Sequence, residues 1–253
     1  MPTALAFSPH LDDAAFSCGG TLATLAEAGW RVVMATVFTG SVRHPQGFAL
    51  ACQTDKGLGP EVDYMALRRA EDAAATEALG IEPPHHLGFR EAPHRGYASA
   101  PELFAELRTD DAVAGDLGTA FRGLIAEVEP DLILAPQGVG GHVDHIQVIL
   151  ALRAFTLDRP VLWWRDFPYT VRCADPKEPL RESFAGLAPF AMSLTPAATA
   201  AKRAACAAYE SQLGFQFGGV GGLHDRLAQE RAMENFRLSG ALPQRFPRHD
   251  VGV

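Results

Sequence analysis

Short apolar runs alternate with segments of helical period along most of this chain. Thr3 to Ser8 is apolar and bounded by proline, which predicts a buried strand. Asp12 to Ala28 is alanine-rich, holds Gly19-Gly20 and meets Gly29, which predicts a helix with a glycine stop. Arg31 to Phe38 is β-branched and apolar until Thr39-Gly40 breaks it. A strand, helix and strand at this spacing should form a right-handed crossover with the two strands parallel.

Residues 40–62 lack a period and read as a loop insertion. Asp63 to Leu79 has helical spacing ending at Gly80, and Pro84 to Phe89 is a candidate third strand. Residues 91–112 form a second irregular insertion. A helix follows over Ala114 to Val128, then a strand over Asp131 to Ala135 that Pro136 closes. Beyond it come a helix over Ile146 to Leu157 and a strand over Pro160 to Trp164. Phe167 to Pro189 is proline-rich and could add a hairpin; Pro196 to Gln212 and Leu223 to Leu238 read as the last two helices. The alternation predicts α/β architecture: one Rossmann-like, doubly wound, mainly parallel sheet over residues 1–253, with loop insertions at its catalytic edge.

Composition narrows the function. At 253 residues the chain is long enough for one large α/β domain, and a net charge of −8 without a basic stripe argues against general nucleic-acid binding. Cys18, Cys52, Cys173 and Cys206 are far apart and form no metal or redox pair, so they read as reduced packing residues. The first residues lack the basic and apolar regions of a signal peptide, and no stretch reaches the ~20 apolar residues of a membrane span. A cytoplasmic protein is the expectation, and the sequence leaves self-association into a homo-oligomer open.

Chemistry concentrates at two strand ends. Ser8-Pro9-His10-Leu11-Asp12-Asp13 follows the first strand, and Gly141-His142-Val143-Asp144-His145 follows the strand of residues 131–135. In an order such as 3-2-1-4-5 these strands are neighbours at the switch point, so the two motifs should converge. Two imidazoles, a carboxylate ligand and a spare carboxylate suit a catalytic divalent-metal site, because metal binding acidifies water and a free carboxylate can then take its proton. A second histidine beside a ligand can stabilise an oxyanion, and Asp144 could orient a histidine ring.

Pro9-His10-Leu11-Asp12-Asp13-Ala14 with Gly19-Gly20, and the later Gly141-His142-Val143-Asp144-His145, resemble the two signature motifs of the PIG-L/LmbE-like N-acetylglucosaminyl deacetylases. The resemblance implies that His10, Asp13 and His145 bind zinc, that Asp12 is the general base, and that His142 steadies the oxyanion, with Asp144 supporting the histidines. It further implies substrate contacts from Arg68 and Glu91. Leu11 stands where proline is common, Ala14 where glutamate is common, and Gly140 where some sugar-thiol deacetylases carry a tyrosine. The resemblance covers roughly the first 150 residues.

Simpler readings stand beside these. His10 to Asp13 could be a strand end and helix cap, and His142 with His145 could merely open a helix. His85-His86 should point to opposite faces of a strand and be structural. His44 and His94 read as surface loop residues, His224 and His249 as solvent-facing, and Trp163-Trp164 as core rather than a sugar platform. The expected function is zinc-dependent removal of an acetyl group from a small N-acetylated sugar. The alternatives are an idle sugar-binding relative and an amidase for a different sugar conjugate. Two histidines and a carboxylate also suit Fe2+.

Overall fold

In the computed structural model, which describes residues 1–247, seven strands form a sheet in the order β3-β2-β1-β4-β5-β7-β6. The strands are β1 (Thr3–Ser8), β2 (Arg31–Thr36), β3 (His85–His86), β4 (Leu132–Pro136), β5 (Val161–Trp164), β6 (Ala188–Ser193) and β7 (Met233–Ser239). The expected 3-2-1-4-5 order is present, and every pairing within it is parallel. β7 runs antiparallel between β5 and β6.

Among the described residues ten α-helices connect or cover the strands: α1 (Asp13–Glu27), α2 (Gly47–Thr54), α3 (Tyr64–Leu79), α4 (Val113–Val128), α5 (Val143–Arg153), α6 (Tyr169–Arg172), α7 (Arg181–Ala185), α8 (Pro196–Ala207), α9 (Glu210–Phe217) and α10 (Val220–Ala228). Because helices lie on both faces, the central strands are buried on both sides and read as unbroken apolar runs. Along β1, Ala4 and Ala6 join Phe16, Leu22 and Tyr209 in one core, while Leu5 and Phe7 join Phe121, Ile133 and Ile149 in the other. Trp163 and Trp164 divide between the same two cores, as adjacent strand residues must.

Several expectations are corrected. Leu223 to Leu238 is not one helix: α10 stops at Ala228, a turn follows, and strand β7 begins at Met233, where Glu234 and Phe236 alternate inward. The segment from Phe167 to Pro189 is not a hairpin; it carries α6 and α7, and β6 finds its partner in distant β7. Pro196 to Gln212 breaks into α8 and α9, and the insertion at 40–62 contains α2. α1 is kinked at Cys18 (φ −139°, ψ 17°). Next to the kink, buried Glu234 accepts from Gly20 N at 2.9 Å and Thr21 N at 2.7 Å, and Lys202 lies 2.8 Å from the same carboxylate. The antiparallel strand thus satisfies backbone donors in the helix that begins at Asp13.

The C-terminal ends of β1, β4 and β5 lie side by side. Whatever extends from them shares one edge of the sheet.

Candidate active site

The turn after β1 is pinned by its own polar groups. Ser8 Oγ donates to His10 O at 2.7 Å and accepts from Ala14 N at 3.0 Å. His10 N donates to Asp13 Oδ2 at 2.7 Å. After β4 the chain passes through Gly138, Gly140 and Gly141, with φ of +75°, +92° and +78°, before His142 caps α5. His142 Nδ1 accepts from Asp144 N at 3.2 Å. A ring nitrogen that accepts carries no proton, so neutral His142 bears its hydrogen on Nε2.

The two turns bring His10, Asp13, His142 and His145 together. Asp13 Oδ2 lies 3.1 Å from His10 Nδ1 and 3.1 Å from His145 Nε2. His145 Nε2 is fully buried and, apart from this contact, meets no hydrogen-bond partner among the described residues. Ligands on a tetrahedral zinc at its usual bond lengths stand roughly 3.3 Å apart. Both contacts of Asp13 Oδ2 are close to that spacing, and the histidine cluster is compatible with a divalent metal. The nitrogens of His10, His142 and His145 also lie within 4.8 Å of one another. That set is looser, and His142 already spends one nitrogen on its cap.

Each proposed ligand ring is held from behind. His10 Nε2 meets Asp144 Oδ2 at 2.9 Å. Asp144 also accepts from Ala92 N at 3.1 Å and from Arg95 Nη2 at 2.7 Å, and Asp111 holds Arg95 in turn. Buried Asp144 thus spends both oxygens on His10, Ala92 and Arg95. His145 Nδ1 meets Asp166 Oδ1 at 2.7 Å, and Asp166 Oδ2 accepts from Gln137 N at 3.2 Å and Val139 N at 2.9 Å. Such partners fix ring orientation and tautomer. Sequence reasoning missed Asp166 and Arg95. Asp166 follows β5 by two residues, so the strand-end rule that found the two motifs could have found it too.

Burial and charge divide the two adjacent aspartates. Burial pushes Asp12 up to about 7, against the pull of the Arg68 guanidinium. Asp13 is held well below the usual carboxylate range, because His145 and His10 outweigh its burial. His10 is lifted to about 9: burial opposes this, but Asp13 and Asp144 prevail. Burial, then the charge of His10, lowers His142 to about 3 and keeps it neutral. Asp12 itself accepts from Gln216 Nε2 at 3.1 Å and lies 3.6 Å from Arg68 Nη2.

These groups floor a cleft of about 270 Å³. On its wall Arg68 and Glu91, the expected substrate contacts, form an ion pair at 2.6 Å. The ring of Tyr169, another residue not singled out from sequence, lies over Gly140 so closely that a Cβ there would overlap it. His86 bonds Asp72 at 2.9 Å, away from the cleft. His44 is exposed and His224 is half-buried; neither they nor His94 line the cleft. His249 lies outside the described residues. Among the described residues no helix is long and apolar enough to cross a membrane.

Comparison with known proteins places this geometry in context. Residues 5–156 match the family described as PIG-L, GlcNAc-PI de-N-acetylase. The chain is 36% identical over 191 residues, 74% of its length, to 2'-N-acetylparomamine deacetylase of Streptomyces fradiae. It is 29% identical, over 94% of its length and 89% of the relative's, to 1D-myo-inositol 2-acetamido-2-deoxy-alpha-D-glucopyranoside deacetylase of Nakamurella multipartita. The match spans 65% of the Streptomyces protein and 47% of a Rhodococcus erythropolis relative. Among solved structures, a deacetylase of teicoplanin biosynthesis superposes with a TM-score of 0.81 at 27% identity, over 94% of this chain and 98% of that one. A further solved structure is the zinc-inhibited form of a teicoplanin deacetylase, with a TM-score of 0.78.

Proposed function

The chain belongs to the PIG-L, GlcNAc-PI de-N-acetylase, family, and on that premise we propose that it is a zinc-dependent hydrolase removing the N-acetyl group from an N-acetylglucosamine-type sugar or conjugate. The observation that carries the reading is Asp13 Oδ2, 3.1 Å from both His10 Nδ1 and His145 Nε2, with Asp12 beside it and free of the cluster.

His10, Asp13 and His145 would hold the zinc through Nδ1, Oδ2 and Nε2. A zinc bound there would supply Lewis-acid polarisation of the amide carbonyl and acidify a water molecule. Asp12 is the general base. Its burial favours taking a proton near neutral pH, and Gln216 and Arg68 keep its carboxylate turned to the cleft. His142 presents Nε2–H to the oxygen that gains charge as the carbonyl becomes tetrahedral. Its other nitrogen is locked by the Asp144 amide, so the donor is oriented before substrate arrives. Arg68 and Glu91 line the same cleft and offer a donor and an acceptor to sugar hydroxyls. Zinc is favoured over Fe2+ because the chemistry is hydrolytic, and relatives of both kinds, curated and solved, are named deacetylases.

Acetate release from a panel of N-acetylated amino sugars, before and after chelation and with zinc restored, tests the reading. The expected result is release that chelation abolishes and zinc recovers. Release that survives full chelation would overturn the metal's role. No release from any sugar by folded, zinc-loaded protein would favour a sugar-binding relative without turnover.

A further inference from the structure

Aromatic rings also line the cleft. Phe104 and Tyr169 pack against His142 and His145 at 5.3 and 6.2 Å between ring centroids, and Phe48 and Phe215 face the same cleft from α2 and α9, Phe215 being 63% exposed at the rim. Two cations share this rim, Lys56 in the loop after α2 and Arg172 at the end of α6. They flank consecutive residues of α9. Lys56 Nζ lies 4.9 Å from the Phe215 ring centroid, and Arg172 Nη2 donates to Gln216 O at 3.3 Å. Gln216 in turn reaches Asp12 through its amide at 3.1 Å, so this rim adjoins the proposed base.

The cations on the floor and on the rim are treated differently. Arg68 has Glu91 at 2.6 Å and Asp12 at 3.6 Å. Among the described residues, no carboxylate lies within ion-pairing distance of Lys56 or Arg172. Among the described residues, the only hydrogen bonds of their side chains go to backbone carbonyls, from Lys56 to Cys52 O and from Arg172 to Gln216 O. Arg226, donating to Val171 O at 2.9 Å, adds a third positive charge behind Arg172. Asp55 lines the cleft and is exposed, yet forms no ion pair with neighbouring Lys56. Lys56 is half-buried, and burial lowers its pKa from the ordinary lysine value. A cation drawn partly out of water without a carboxylate partner gains most from an anion that arrives with a ligand.

We propose that this rim is a subsite for an anionic group, carboxylate or phosphate, borne on an aromatic or otherwise apolar aglycone of the sugar substrate. The acetamido sugar would sit over the histidine floor, the apolar part of the aglycone against Phe215 and Tyr169, and the anion between Lys56 and Arg172. The inference rests on the deacetylase reading for its sugar, but not for its anion.

Three aryl glycosides of N-acetylglucosamine test it: 4-carboxyphenyl, its neutral methyl ester, and 4-phosphophenyl. Equilibrium binding is measured by calorimetry at 0.15 M salt, alongside kcat/KM for acetate release, in the wild type and in the double variant Lys56→Met/Arg172→Met. The expected result is binding of at least one charged glycoside about tenfold tighter than the ester. That ratio should collapse towards one in the double variant and appear in KM rather than kcat. Whichever anion gains more identifies the source. A wild-type ratio near one overturns the proposal and needs no variant; a ratio unchanged by the double variant overturns it equally. Binding is read separately from turnover. Charge-selective binding without acetate release would refute the deacetylase reading alone, and release without charge selectivity would refute the subsite alone.

Discussion

Asp166 holds the back of the His145 ring: its Oδ1 lies 2.7 Å from Nδ1, while its Oδ2 accepts two backbone amides from the loop that ends β4. One buried carboxylate thus ties the His145 ring to the glycine-rich turn that delivers the second motif. Asparagine cannot reproduce this, since its amide group would face either a ring N–H or two backbone N–H groups. Asp166→Asn is therefore expected to weaken zinc binding by about 10- to 100-fold, the usual cost of losing such an outer partner. Competition against a chelator of known affinity measures it. An unchanged affinity would remove Asp166 from the support of the site.

Asp12→Asn tests whether the proposed base is separate from the proposed ligands. The adjacent Asp13 keeps both of its 3.1 Å contacts, so metal content should match that of the wild type. Turnover should fall by roughly 10²- to 10⁴-fold, the range for a positioned general base. Elemental analysis beside acetate release reads both quantities from the same sample. Loss of the metal together with activity would make Asp12 part of the ligand set.

The convergence of the two motifs was legible because it follows from strand order alone: apolar runs announced β1 and β4, and their polar ends had to meet. β7 was not legible. Its inward positions are Glu234 and Phe236, and the buried glutamate, satisfied by Lys202 and the backbone of α1, erases the period-two apolar signal. β6 was missed because its partner lies some forty residues further on, beyond any local turn signal. Tyr169 opens the four-residue α6 and Arg95 follows a single helical turn in the second insertion, and neither segment is long enough to show a sequence period. Asp166 was in reach of the same rule as the motifs, lying just past a strand end beside them.

With the proposed ligand set, metal and protons would compete for the same nitrogens. His10 in the metal-free cluster is raised to about 9 by Asp13 and Asp144 despite its burial. A raised histidine stabilises the fold below its ordinary value of about 6.5, and that contribution is lost as pH climbs through about 9. The melting temperature of metal-free protein is therefore expected to fall as pH rises from 7 past 9. Zinc-loaded protein should not show this fall, because His10 is then neutral throughout. For the same reason zinc affinity should rise with pH up to about 9 and flatten above, with protons released on binding in weakly buffered solution. Affinity independent of pH over that range would contradict a histidine ligand set.

Gly140 and Tyr169 make the last expectation. The backbone at Gly140 has φ +92°, where a side chain is strained, and a Cβ would also overlap the Tyr169 ring. Gly140→Ala should therefore destabilise the protein by about 2 to 6 kcal/mol, the sum of backbone strain and overpacking. In a chain of this size that lowers the melting temperature by roughly 4 to 24 °C. The two causes separate in a double-mutant cycle. Tyr169→Ala in the Gly140→Ala background should recover the steric part and leave the backbone part, giving a coupling of about 1 to 3 kcal/mol. Full additivity would mean that the ring yields without cost, and that glycine is required at 140 by its backbone alone.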